Sequence, residues 1–282
     1  MTSLPSVSSA GVPAEHMMAR REGLSRRGHR YGAAVLGVVA LLCLWELLAV
    51  TLLAHRYVLP PPLEVVVQLW RDRSLYAANL PTTLIEAGEG WLGGNVAALL
   101  LAILLVQIPL FQKELLRIAI TAYCMPVVAI GPILEVIFTG TAPKAILAGL
   151  AVFFTTLIAA VLGLRSTDPL IRDMVTVYGG TRWQEMWKVR IPGALPATFG
   201  GLQIAAPAAV LGALIGEYLG GTQGLGVVMI ISEQSLQLPR TWALAVVISA
   251  VAGAAYALTG LVGRLLTPWA PRSNSNSGSG AR

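Results

Sequence analysis

KAILAGLAVFFTTLIAAVLGL, residues 144–164, is almost purely apolar after its first residue, and it runs straight into RSTDPLIRDMVTVYGGTRWQEMWKVRIPGALPA, residues 165–197. About 20 mostly apolar residues in helix cross the roughly 30 Å of a bilayer's hydrocarbon. The first stretch therefore reads as a membrane span, and the second, charged and patterned, as the loop that follows it. Working outward, five further windows have the same character: 31–54, 84–108, 118–138, 198–219 and 242–266. The third of these is interrupted by Pro126 and Pro132, which break helical hydrogen bonding.

Composition agrees. Of 282 residues 55% are hydrophobic and only 12% charged, against about 25% charged in a typical soluble chain. Mean hydropathy is +0.70. The 29 glycines and 17 prolines suit lipid, where neighbouring helices re-satisfy the backbone groups they disturb. A secreted disulfide scaffold, a nucleic-acid-binding domain and most soluble enzymes are excluded. Cys43 and Cys124 sit in apolar runs without metal-ligand spacing, and His16, His29 and His55 are scattered, so no metal site is expected. The window 31–54 is too long for the apolar core of a cleaved signal peptide and reads as a retained anchor.

The expected architecture is all-α and polytopic, with about six transmembrane helices. A tail, 1–30, precedes a membrane domain, 31–266, and a polar tail, 267–282, follows it. That tail ends in SNSNSGSGAR, which cannot bury a core and is expected to be disordered. With the N-terminus inside, 15 of the 20 Lys and Arg fall in inner segments, as the positive-inside rule requires. Both termini are then expected on the cytoplasmic side of a plasma membrane. The basic N-terminal cluster reads as an orientation signal, with anionic-lipid contact secondary.

The loop 165–197 differs from every other connection. Thr167 or Asp168 can cap a helix with Pro169 at its first position. Leu170, Met174 and Val177 recur at helical spacing on one face. Gly179-Gly180 stops the helix, and Thr181 caps a second one carrying Trp183, Met186 and Trp187 on one side. Pro192 and Pro196 are expected to end that second helix. The apolar faces need cover, and their own bundle, the lipid interface and a partner protein all remain open.

The spacing Asp173-Met174-Val175, three residues, Gly179, nine residues, Val189-Arg190-Ile191-Pro192 resembles the EAA loop of ABC importer permeases. Glu-Ala-Ala is replaced by Asp-Met-Val, a shorter acid with two larger side chains. Trp45-Glu46, Leu59-Pro60-Pro61-Pro62-Leu63-Glu64-Val65, Asn79-Leu80-Pro81-Thr82-Thr83-Leu84, Gly216-Glu217-Tyr218-Leu219 and Gly224-Leu225-Gly226 are similar to the sulfonate/taurine/nitrate branch of type I permeases. The resemblance implies a loop that docks in a separate cytoplasmic ATPase through Asp173, Met174, Val175, Gly179, Val189, Ile191 and Pro192. It also implies an extracytoplasmic solute-binding protein and assembly as a homodimer. The solute would be a sulfonate, taurine, nitrate or a vitamin precursor. No Walker A pattern occurs in the chain. The chain itself is thus expected to be no enzyme and to hold no cofactor, with ATP and Mg on the partner.

Glu46, Glu135 and Glu217 lie within spans, where a charge costs about 2.5–3.5 kcal/mol at the helix centre. With Gln203 they are the candidates for a substrate path or gate; a structural hydrogen bond is the competing role of each. The glycines at 220–226 read as a flexible re-entrant or gating loop rather than a phosphate cradle. The alternative class is a self-contained, ion-coupled secondary transporter. Against it stand the lack of internal duplication and the expectation of no deep acid pair.

Overall fold

A computed structural model describes residues 36–51, 59–108, 117, 121 and 126–269. The N-terminal tail, residues 270–282 of the C-terminal one, Cys124, the three histidines and residues 118–125 of the third window (bar 121) lie outside them. The chain divides into two units, 1–66 and 67–282.

In the first unit, helix α1, Leu36–Val50, occupies the first window. Its leucines and valines are exposed around most of its circumference, as in a helix solvated by lipid. Trp45 Nε1 donates to the Pro60 carbonyl at 3.1 Å. Helix α2, Pro62–Arg71, begins with proline at a position where a missing N–H costs nothing.

The second unit contains α3, Arg73–Gln107, α4, Val127–Ile137, α5, Ala142–Arg165, and the pair α6, Pro169–Val177, and α7, Arg182–Glu185. A π-helical turn, Met186–Arg190, joins α7 to α8, Ile191–Gly220. Helices α9, Leu225–Gln234, and α10, Leu238–Leu266, complete it. By length and composition α3, α5, the continuous stretch Arg182–Gly220 and α10 suffice to cross a membrane, and α1, α4 and α9 are shorter apolar helices. The described residues contain no strand. The fold is thus all-helical and polytopic.

Helix α8 is the centre. Its most apolar window is 56% buried, that of α10 not at all. Small residues bring the backbones together: Gly90 and Gly94 of α3 lie against Ala148, Gly149 and Val152 of α5, and Gly212 of α8 lies against Leu147 and Ala148. Among lipid-solvated helices such close van der Waals contact replaces the hydrophobic drive. One interhelical hydrogen bond, Thr156 Oγ1 to Asn95 Oδ1 at 2.5 Å, is buried between α5 and α3.

The expectation that Pro192 and Pro196 end the second loop helix is corrected. The helix passes from α7 through the π turn into α8 without a break, Pro192 in the first turn of α8 and Pro196 and Pro207 inside it. The wider turn lets the Ile191 N–H reach the Met186 carbonyl. The helix thus enters Pro192 without the tight i→i−4 bond that the ring would block.

Candidate functional site

Two groups of residues carry the chemistry, at opposite ends of α8. At the start of α8, Asp168 caps α6 by accepting from the Leu170 N–H at 2.9 Å. Gly179 has φ +76°, a left-handed conformation that favours glycine, and the Gly180 N–H returns to the Val175 carbonyl at 2.8 Å. Thr181 and Gln184 form a reciprocal capping box that starts α7. Met186 is 1% exposed and belongs to the core cluster with Leu105, Leu157, Leu164 and Ala194; Ile191 packs against that cluster. The second arm of the loop is therefore rooted in the bundle.

The first arm is not. No residue of α6 is buried. Leu170, Met174 and Val177 are 72%, 58% and 82% exposed, so the bundle does not cover the apolar face. Burying a side chain of this kind stabilises by about 1.5–3 kcal/mol, a gain the isolated chain forgoes three times on one helix. Asp173 is exposed, Val175, Val189 and Ile191 are half-buried, and Pro192 is exposed. Trp183 and Trp187 meet edge to face, centroids 5.6 Å apart, both more than half exposed.

At the far end of α8, Glu217 is 1% exposed. Its Oε1 accepts from Thr83 Oγ1 at 2.6 Å and its Oε2 from the Gly226 N–H at 2.5 Å. Thr83 Oγ1 in turn accepts from the Leu225 N–H at 2.9 Å, and Asn79 Oδ1 from the Gly224 N–H at 3.1 Å. These N–H groups belong to the start of α9, where no helical partner exists for them. Side chains of α3 and α8 thus cap α9 from outside, and the carboxylate sits at the positive end of the α9 dipole. Gly224 has φ +121°, and a Cβ there would strike the Glu217 carboxyl. Rather than a flexible segment, residues 221–226 form a short turn fastened to a buried acid and leading into a helix.

Glu135 pairs with Lys144 at 2.6 Å, and Lys144 also donates to the Gly220 carbonyl at 3.2 Å. Glu86, 3% exposed, has its carboxyl beside that of Glu217 and its Oε2 without a hydrogen-bond partner among the described residues. The expectation of no deep acid pair is therefore corrected: Glu86 and Glu217 form one. Glu135 and Glu217 come together in this cluster, but Gln203 does not. Gln203 lies 14 positions back along α8, about 21 Å at 1.5 Å per residue, with its amide against Gly260 of α10. Glu46 is exposed on α1.

Sequence reasoning missed Thr83, Asn79 and Glu86 as partners of Glu217. The signal was present in Asn79-Leu80-Pro81-Thr82-Thr83-Leu84 and Gly224-Leu225-Gly226. Their pairing across some 140 positions was not. The Asp72–Arg240 ion pair, 2.5 Å, which fastens the start of α10 beside the start of α3, was missed too. Burial works to raise the Asp72 carboxyl, but hydrogen bonds from Arg240 and Gln68 and the charges of Arg240 and Arg71 outweigh it. They hold the carboxyl below its ordinary value.

The described residues form a helical bundle with several candidate membrane spans and a two-armed loop between two of them. Residues 94–272 match the family of binding-protein-dependent transport system inner membrane components, and the chain belongs to that family. It is 33% identical over 207 residues to a probable ABC transporter permease protein of Haemophilus influenzae, covering 73% of this chain and 84% of that one. It is 30% identical over 236 residues to the riboflavin transport system permease protein RibX of Chloroflexus aurantiacus, 82% and 88%. A putative aliphatic sulfonates transport permease protein, SsuC of Bacillus subtilis, is 23% identical over 268 residues, 93% and 96%. The chain is accordingly a permease subunit of an ABC importer, a class of membrane subunit rather than an enzyme.

Proposed function

We propose that the chain moves a small solute inward across the cytoplasmic membrane and is driven through α6 and α7 by a separate ATPase. The observation that carries this reading is the bare apolar face of α6, Leu170, Met174 and Val177, beside a rooted second arm. One arm is free to enter a partner's cleft, and the other conveys its displacement to α8. Asp173, Met174, Val175 and Gly179 form or turn the docking arm. Val189, Ile191 and Pro192 connect it to the bundle. ATP and Mg²⁺ belong to the partner, an extracytoplasmic binding protein delivers the solute, and two copies of this chain surround the path because the ATPase engine is two-fold. Both termini are cytoplasmic in this reading.

For the solute, a heterocyclic vitamin precursor is favoured over a sulfonate. The riboflavin permease is the more similar of the two named relatives by identity. A cleft of about 440 Å³ between α3, α8 and α10, lined by Leu84, Trp91, Phe199 and Leu258 among others, has no basic side chain to neutralise an anion. An ion-coupled mechanism would draw on the Glu86–Glu217 pair, but both oxygens of Glu217 are engaged in capping α9.

The test is co-purification with a cognate ABC ATPase subunit, for wild type and for Val177→Asp. The exposed position leaves folding intact, and recovery of the ATPase is expected to fall at least tenfold. Undiminished recovery together with solute-stimulated ATP hydrolysis would remove α6 from the coupling path. Uptake driven by a proton gradient with no ATPase present would select the secondary transporter.

A further inference from the structure

A polar cavity of about 460 Å³ lies behind α6, between it, α7, the π turn and the adjoining ends of α3 and α5. Arg165 enters it from α5, Arg172 and Asp173 from α6, Arg182 and Glu185 from α7, and Arg190 from the π turn. Four guanidiniums thus face two carboxylates. Arg190 is accounted for, since its Nε and Nη2 both lie 2.8 Å from Glu185 Oε1. Arg165, Arg172 and Arg182 have no ion pair among the described residues. The Nε of Arg172 is shut off from solvent and has no acceptor there.

Native structures seldom leave a buried donor of this kind unmatched, and an unrecorded ion or water is the usual explanation. The missing group must supply acceptors only, must carry negative charge to balance the surplus, and must present several oxygens to converging forks. Guanidinium matches phosphate in this way, with paired N–H donors aimed at paired oxygens. We propose that this cavity is an oxyanion site that takes a phosphate group, either as free phosphate or as the head of an anionic lipid.

Its location gives the site a consequence. Arg172 lies on the face of α6 turned away from Leu170, Met174 and Val177. A phosphate there ties α6 to α7 and to the ends of two spans from behind, while the apolar face stays open. The free arm becomes stiff without being covered.

The experiment uses the full chain in nanodiscs. Binding of radiolabelled inorganic phosphate is measured by equilibrium dialysis in phosphatidylcholine at constant ionic strength, with chloride as the competing salt. In parallel, phosphatidylglycerol retained through detergent exchange is counted by mass spectrometry. Wild type is expected to bind phosphate saturably, or to retain phosphatidylglycerol, and Arg172→Gln and Arg182→Gln each to weaken that binding at least tenfold. Phosphate bound in the neutral lipid identifies the free ion, and phosphatidylglycerol retained without phosphate binding identifies the headgroup; both support the site. Should Arg172→Gln fail to fold, Arg165→Gln, exposed at the end of α5, takes its place. Absence of both ligands on the wild-type chain, or binding unchanged in the arginine variants, overturns the proposal.

Discussion

The two ends of α8 are finished to different degrees. At Glu217 the carboxylate has its donors, the first N–H groups of α9 have their acceptors, and the glycine at 224 leaves room for both, while the neighbouring Glu86 Oε2 has no hydrogen-bond partner among the described residues. At α6 apolar side chains stand bare and a buried guanidinium N–H goes without an acceptor. Saturated polar groups in a dry interior specify one arrangement, whereas an unmatched surface is completed by something else. The first end is fastened within the chain, and the second is the end proposed to meet other molecules.

Substitutions at paired positions sharpen the contrast. Gly224→Val is expected to cost the most. It combines left-handed backbone strain, on the order of 3 kcal/mol at the upper end, with a collision against the Glu217 carboxyl. Folded yield and melting temperature in detergent should both collapse. Gly179→Val, with no atom within 4 Å of the added Cβ, should cost only the backbone strain, about 1–2 kcal/mol. Equal losses at the two glycines would erase the distinction.

The next comparison lies within the loop. Met186→Ala empties a buried position and should destabilise by about 2–3 kcal/mol. Met174→Ala, on the bare face, should change stability by less than about 0.5 kcal/mol yet reduce recovery of the ATPase. Thermal unfolding and co-purification, measured on both variants, separate root from arm.

The smallest effect is electrostatic. The Asp72 carboxyl is held below its ordinary value of 3.8. A group depressed on folding contributes stability that is fully present above its unfolded value and lost as pH falls through the folded one. Melting temperature should therefore decline below pH 3.8 through loss of the Asp72–Arg240 pair, and Asp72→Asn should remove that part of the decline. An unaltered acid limb in the variant would show the pair to be idle.

Much of this was legible in the sequence because it is local. Span 144–164 becomes α5, and the Asp168 and Thr181 caps fall where side-chain chemistry puts them, since a cap reads only the next three residues. Helix α9 was not read, because its N-terminus is capped by residues of α3 and α8 rather than by its own flank. The same long-range pairing hid Glu86 and Asp72. The prolines misled for a different reason: a proline forbids one hydrogen bond, and the wider turn at 186–190 had already given that bond up.

That turn makes Arg182–Gly220 a single shaft of 39 residues, about 58 Å long at 1.5 Å per residue. In the proposed coupling, torque applied beside Trp183 can dissipate only at the π turn and at Pro196 and Pro207. It arrives at the Glu217 fastening as a twist on the very donors that hold α9. On that reading a push at the loop and a strain on the Glu217 clasp are the two ends of one rod.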